Sequence, residues 1–448
     1  MITKKDNMII LVLCIVNVII LSTGHVLNNN SIVLISIFSF LILLFISPKS
    51  LFLALMLFYL PWSPIMKLNS EGNTFYTVGI ALFFLFLLFT KEFFANKGIL
   101  TLSNLLLICA LFVYTMITKL FLGYSLTLDY LMFLFMLILI PSYLFVYHKK
   151  ISFEVSIIFF SVGIVTAGFS SIVLMDYPNM LDFINISELK AAGVKRLSGF
   201  YGDANFYSAH ILVAIGGLLI LIMRKKLNVV ILLISLVIIL IYLGFLSVSK
   251  MFLLLLILIL ALWGITVFIS KGHLTTKIVI IVTSIIGIYI VNSFQIFTEQ
   301  INMYLVRFGM VSDVSSLTTG RSNILGEYFT FFKDNPVALL FGQGFTNVYK
   351  GELIYAAHNT IIQAIYQLGI IGTLFLIIWL VQLFVLNKKP IEKTKRKTSR
   401  FNIFVILFAI VCFVPWLSLD VLFADEFFFI TSLFLNGKEY LTVQENEA

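Results

Sequence analysis

Residues 227–269 read "LNVVILLISLVIILIYLGFLSVSKMFLLLLILILALWGITVFI". Two apolar runs, 227–247 and 251–270, flank Ser247-Val248-Ser249-Lys250, and neither contains a charged residue. An α-helix rises about 1.5 Å per residue, so each run matches the roughly 30 Å hydrocarbon layer of a bilayer. A four-residue polar turn between them predicts a helical hairpin with Lys250 at the membrane–water boundary.

The rest of the chain repeats this pattern. Hydrophobic residues make up 61% of 448, charged residues 11%, and mean hydropathy is +1.09. A soluble domain carries about a quarter of its residues charged, so this chain relies on lipid as solvent. Apolar runs lie near 8–23, 30–47, 50–66, 75–90, 99–118, 125–147, 152–175, 204–223, 227–247, 251–270, 277–296, 359–386, 401–419 and 421–436. The expected fold is an all-α polytopic membrane protein with about 12–14 transmembrane helices. The run at 421–436 carries Asp425-Glu426 and reads equally as the tip of a re-entrant hairpin. The first run follows Lys4 and Lys5 without a small-residue cleavage pattern, which marks an anchor and not a cleaved leader.

Basic residues set the orientation. With the N-terminus inside, alternation places most of the 30 Lys and Arg residues on the cytoplasmic side, including those of "NKKPIEKTKRKTSR". The surplus of +9 is thus mainly a topology signal, with attraction to anionic lipid as a by-product, and not a nucleic-acid footprint. Both termini fall in the cytoplasm. The chain divides into N-terminal membrane helices (1–175), a first long extracytoplasmic loop (176–203) and further membrane helices (204–296). A large extracytoplasmic loop (297–358) and C-terminal helices with a cytoplasmic tail (359–448) complete it.

In the large loop, "GRSNILGEYFTFFKDNP" places Ile324, Leu325, Tyr328, Phe329 and Phe332 at helical spacing, ended by Asn335-Pro336. This predicts an amphipathic helix against the outer interface. Cys14, Cys109 and Cys412 sit in separate apolar runs and read as inert thiols. No HExxH, CxxC, P-loop or G-x-S-x-G motif is present, so metal-hydrolase and nucleotide-driven readings have no anchor, and no cofactor or metal is expected.

The cations outside the expected cytoplasmic segments are the informative ones. Lys195 and Arg196 precede the eighth run, Lys250 fills the tight turn, and Arg307 and Arg321 lie in the large loop. Cations held at one membrane depth suit a phosphate or diphosphate headgroup, Arg by its planar fork and Lys as a point charge. Each is also readable as a snorkelling or loop-surface cation, as are Lys67, Lys119, Lys333 and Lys350. Asp203 and Asn205 fit helix capping as well as they fit function. His358, one of five histidines, offers a general base near neutral pH, or else an interfacial side chain beside a capping Asn359.

Four stretches together resemble the O-antigen polymerase/ligase superfamily. "RLSGFYGDANFYSAH" (196–210) is similar to its R-x-S-G…D-P-N element, with Ala204 where that family usually has Pro. "SVSKMFLLLL" (247–256) is similar to its S-[RK] element, with Lys for Arg. "TTGRSNILGEYFTFFKDNPVALLFGQGF" (318–345) and "AHNTIIQAIYQLGIIG" (357–372) resemble its G-R…N-P…G-x-G…H-N…G-x-x-G element. The ordered elements cover residues 190–380; the other helices match only as generic apolar spans.

The resemblance implies a GT-C-like membrane glycosyltransferase that needs neither metal nor nucleotide sugar. Its donor would be undecaprenyl-diphosphate-linked oligosaccharide, polymerised into O-antigen, capsular or exopolysaccharide at the outer face of the bacterial cytoplasmic membrane. His358 would take the acceptor proton. Arg196, Arg321 and Lys250 would hold the diphosphate, with Asp203, Asn205, Asn359 and Arg307 in support. A flippase and a chain-length regulator are the protein partners it suggests. A ligase moving finished glycan to a lipid core is the alternative within the superfamily. A transporter or flippase is the alternative outside it, and would call for charges near the middle of helices.

Overall fold

The computed structural model describes residues 4–68, 74–90, 102–122, 128–147, 149–180, 187–189, 194–223, 227–269, 277, 298–309, 320–344, 356–386, 403–422 and 424–444. Apart from Lys277, the run expected at 277–296 lies outside these residues, as does the basic stretch 387–402. The helices are α1 (Lys4–Val26), α2 (Asn30–Ile46), α3 (Phe52–Tyr59), α4 (Phe75–Leu88), α5 (Leu102–Leu122), α6 (Leu128–Tyr147) and α7 (Phe153–Leu174). After a ribbon of β1 (Ser187–Leu189) and β2 (Val194–Arg196) come α8 (Ala204–Ile222), α9 (Leu227–Leu246) and α10 (Lys250–Ile269). Two loop helices follow, α11 (Thr298–Gly309) and α12 (Arg321–Asp334), then α13 (Pro336–Phe341), α14 (Thr360–Leu386), α15 (Ile403–Phe413) and α16 (Asp425–Gln444).

The protein is a helical, multi-pass membrane protein. Six helices among the described residues are long and apolar enough to cross a bilayer. Their outward faces carry bare hydrocarbon: Leu232 is 70% and Ile257 59% exposed, which water would not tolerate over so many helices. The opening hairpin forms as expected, α9 and α10 joined by a buried turn. Packed inside them is α8, 89% of whose apolar window is buried, with α7 and α15 on its other sides. A helix apolar all round belongs at the centre of a bundle.

Three expectations change. The runs at 30–47 and 50–66 are not two spans but a pair bent by 120°, short helices and 3₁₀ turns replacing the second. Pro48, Pro61 and Pro64 explain this, since each removes a backbone donor that a continuous helix needs. His25 at the end of α1 bonds the Ile65 carbonyl at 2.8 Å and ties the bent segment down. Within the long loop expected at 176–203, β1 and β2 pair antiparallel with Ser187 opposite Arg196. Asp425-Glu426 does not tip a hairpin: it opens the continuous helix α16. The loop helix α12 forms as expected and ends at Asn335-Pro336, burying Tyr328 and Phe332, but Phe329 is 61% exposed and off the buried face.

Helix α14 is broken. Gly369 sits at φ 69°, ψ 176° inside it, and the GQG loop fills the break. Gln343 N–H donates to Tyr366 O at 2.7 Å, Gly344 N–H to Gln367 O at 3.0 Å, and Tyr114 Oη to Leu368 O at 2.7 Å. In hydrocarbon an unpaired carbonyl costs several kcal/mol, so these three donors make the break tolerable. Gly342 and Gly369 lie backbone to backbone; a Cβ on Gly369 would strike the Leu340 carbonyl, and both φ values are positive. Gly369→Ala and Gly342→Ala are therefore each expected to lose well over 1 kcal/mol, from strain plus clash. A fall in monodisperse protein after detergent extraction measures it; wild-type yield and melting temperature would contradict it.

Candidate functional site

The turn Ser247-Val248-Ser249 is the hub of the site. All three residues are buried, and Val248 has φ 46°, a genuine outlier for a β-branched residue. Its three successive carbonyls are each met by a side chain. Arg196 Nε donates to Ser247 O at 3.0 Å, Arg307 Nη1 donates to Val248 O, and Tyr304 Oη donates to Ser249 O at 3.3 Å. The Leu197 amide adds a bond to Leu246 O at 2.9 Å. The ribbon and α11 are thereby clamped onto the end of the α9–α10 hairpin. Tyr304 and Arg307 stand at i,i+3 on one face of α11.

Asp203 caps α8, its Oδ1 accepting from the Asn205 amide at 2.8 Å and from Asn205 Nδ2 at 2.9 Å. Capping is thus one of its roles, even with Ala204 at N1. Asn205 turns its Oδ1 the other way, accepting from Ser249 Oγ at 2.8 Å and Arg196 Nη2 at 3.4 Å. The first turn of α8, the hairpin turn and the ribbon share one polar network.

Arg321 opens α12 and His358 precedes α14. Burial pushes the Arg321 guanidinium down, and the Asp203 carboxylate partly offsets this. Burial first, then the charges of Arg307 and Arg321, bring Arg196 down to about 10, with Asp203 opposing; it stays cationic at neutral pH. Arg307 is lowered by burial and by Arg321, with Tyr304 opposing. His358 is held below its ordinary 6.5 by burial and by Arg321, against Asp203. The structure therefore brings Arg196, Arg307, Arg321, Asp203 and His358 within electrostatic reach. Lys250 lies at their edge, within electrostatic reach of Arg307: it starts α10 with Nζ 5.6 Å from the Phe308 ring centroid, a cation–π contact.

His358 has φ 47°, unusual for a non-glycine residue. Its neighbours fix it. Ala357 N–H donates to Gln363 Oε1 at 3.1 Å. Asn359 Oδ1 accepts from the Ile361 and Ile362 amides at 3.0 and 3.1 Å, so Asn359 is the cap of α14. Asn359 Nδ2 also reaches Leu417 O at 3.1 Å, and Thr360 Oγ1 reaches Leu419 O at 2.7 Å. That second contact sets the α15–α16 connection beside the histidine, bringing in Asp420, whose carboxyl burial pushes up to about 7. Sequence reasoning missed Asp420, and nothing in its spacing points to it.

The family that this assembly belongs to is not shown by similarity. Comparison with family models, curated proteins and solved structures finds no match. What the geometry offers is an anion site with a base at its edge: two buried guanidiniums, a half-buried third, one carboxylate and an imidazole. Among the described residues no cluster of His, Cys, Asp and Glu is placed to hold a metal ion.

Proposed function

We propose that the chain is a membrane glycosyltransferase that extends polysaccharide from undecaprenyl-diphosphate-linked oligosaccharide, as a polymerase of the O-antigen polymerase/ligase superfamily. The observation that carries this reading is the gathering of Arg196, Arg307 and Arg321 around Asp203 and His358. Three cations against one carboxylate leave a net positive site, suited to a diphosphate. A guanidinium carries five N–H donors, and the bond to Val248 uses one of those on Arg307.

In the proposed reaction an acceptor sugar hydroxyl forms a bond to the donor's anomeric carbon. The bond from that carbon to the diphosphate oxygen breaks, and the electron pair leaves with the lipid diphosphate. The hydroxyl proton passes to His358, whose neutral form is favoured by burial and by Arg321. The guanidiniums stabilise the growing negative charge of the leaving group. Helices α11 and α12 cover the site and limit hydrolysis by water. In this account the site faces outward from the bacterial cytoplasmic membrane and both termini are cytoplasmic. A flippase supplies donor, and a chain-length regulator is a candidate partner.

Lys250 supplies charge near the site's rim. Lys250→Arg is expected to retain chain extension and Lys250→Ala to lose it partially, about tenfold; polymer length on a gel reads both. Full activity in the alanine variant would remove Lys250 from the site.

One observation favours a second reading, transport of lipid-linked glycan: His210 and Glu426 face each other inside the bundle, 3.8 Å apart. Movement of the lipid without a new glycosidic bond is that reading's signature.

A further inference from the structure

We propose that His210 and Glu426 form an internal protonation site, sharing one proton across a water molecule held between α8, α15 and α16. The inference does not rest on the transferase reading. His210 lies two turns into the most enclosed span, and its side chain and that of Glu426 are 4% and 9% exposed. Their closest atoms, Nε2 and Oε1, are 3.8 Å apart, too far for a hydrogen bond and near enough for one water to bridge. His210 Nδ1 is fully buried and has no hydrogen-bond partner.

Both side chains line a cavity of about 20 Å³, walled by Phe206, Cys412, Pro415 and Trp416. One water needs roughly 10–15 Å³ of such space and at least two polar partners. The carboxyl and the imidazole supply them, and the other lining residues are apolar. Two full charges at this place would forgo hydration with the Tyr201 hydroxyl as the carboxylate's main side-chain partner, whereas a neutral acid and a neutral imidazole bridged by a water carry a far smaller desolvation cost.

The groups facing the pair from adjoining elements are few. The Tyr201 ring centroid lies 5.0 Å from the imidazole, and its hydroxyl donates to Leu60 O at 2.7 Å and is also hydrogen-bonded to the Glu426 carboxyl. Phe160 packs on the ring at 5.7 Å. Asp425 accepts from Thr77 Oγ1 at 3.3 Å, and Tyr76 approaches from α4. Tyr201 belongs to the same turn as Asp203, so the protonation site sits one layer beneath the cationic one.

The test is infrared spectroscopy of the full-length protein in lipid nanodiscs at neutral pH, in H₂O and D₂O. The expected result is a C=O stretch of a protonated carboxyl that shifts in D₂O and is lost in Glu426→Gln. Asp420→Asn identifies the separate contribution of the Asp420 carboxyl, which burial pushes up to about 7. His210→Phe keeps the aromatic packing and covers the case in which the glutamine variant does not fold. It should shift the Glu426 band to higher frequency, because the shared hydrogen bond is gone. A Glu426→Gln spectrum identical to wild type, or an unmoved band in His210→Phe, overturns the proposal.

Discussion

His358→Asn is expected to stop chain extension while the protein still folds. Asparagine is among the few residues that accept positive φ, so the backbone at 47° survives the exchange. The Asn359 cap and the Ala357–Gln363 bond involve neither the ring nor its nitrogens. What disappears is a base, a loss of roughly 10²–10⁴-fold in rate. His358→Ala should match it in activity and add a small folding cost. The pH profile carries a second signature. Burial and Arg321 lower the His358 pKa below 6.5, so the neutral, base-competent form persists into mildly acid solution. Wild-type rate should stay flat on descending to pH 6.5 and fall only below it, and the residual rate of the asparagine variant should lack that limb. Normal polymer length from either variant would remove His358 from the chemistry.

Arg196→Ala should be as damaging for a different reason. It takes one cation from the leaving group, a loss of about 10²–10³-fold by analogy with a single oxyanion donor. It also frees the Ser247 carbonyl and the Asn205 amide oxygen, loosening a buried turn. Arg196→Gln separates the two effects, since it can still donate to Ser247 but carries no charge. Gln should recover the melting temperature and not the activity. Lys should recover part of the activity, because charge returns without the bidentate fork. An active glutamine variant would make Arg196 an anchor and leave the anion to Arg307 and Arg321.

The membrane class and the α9–α10 hairpin were legible in the sequence because hydrocarbon thickness leaves little choice of helix length. The break in α14 was not. "GIIG" sits in an unbroken apolar run, and nothing local shows that GQG will supply donors to the carbonyls of Tyr366 and Gln367. Nor was the 120° bend between the runs at 30–47 and 50–66, where Pro48 follows the end of α2. Arg196, Arg321 and His358 stand out in the sequence as cations and a base, and Asp203 as a helix cap; the structure sets Asp203 within electrostatic reach of all three. The Ser247-Val248-Ser249 clamp was invisible because its acceptors are backbone carbonyls, which every residue carries. His210 hid for the opposite reason: a lone histidine in an apolar span shows no partner until Glu426, far along the chain, packs against it.

The decisive measurement supplies purified protein in lipid with a synthetic lipid-diphosphate oligosaccharide, without nucleotide or metal, and reads the products by mass. The account predicts lipid-linked glycans longer by whole repeat units, with free lipid diphosphate released in step. Lipid-linked sugar that only changes leaflet, or that stays unaltered while the protein is folded, would contradict it.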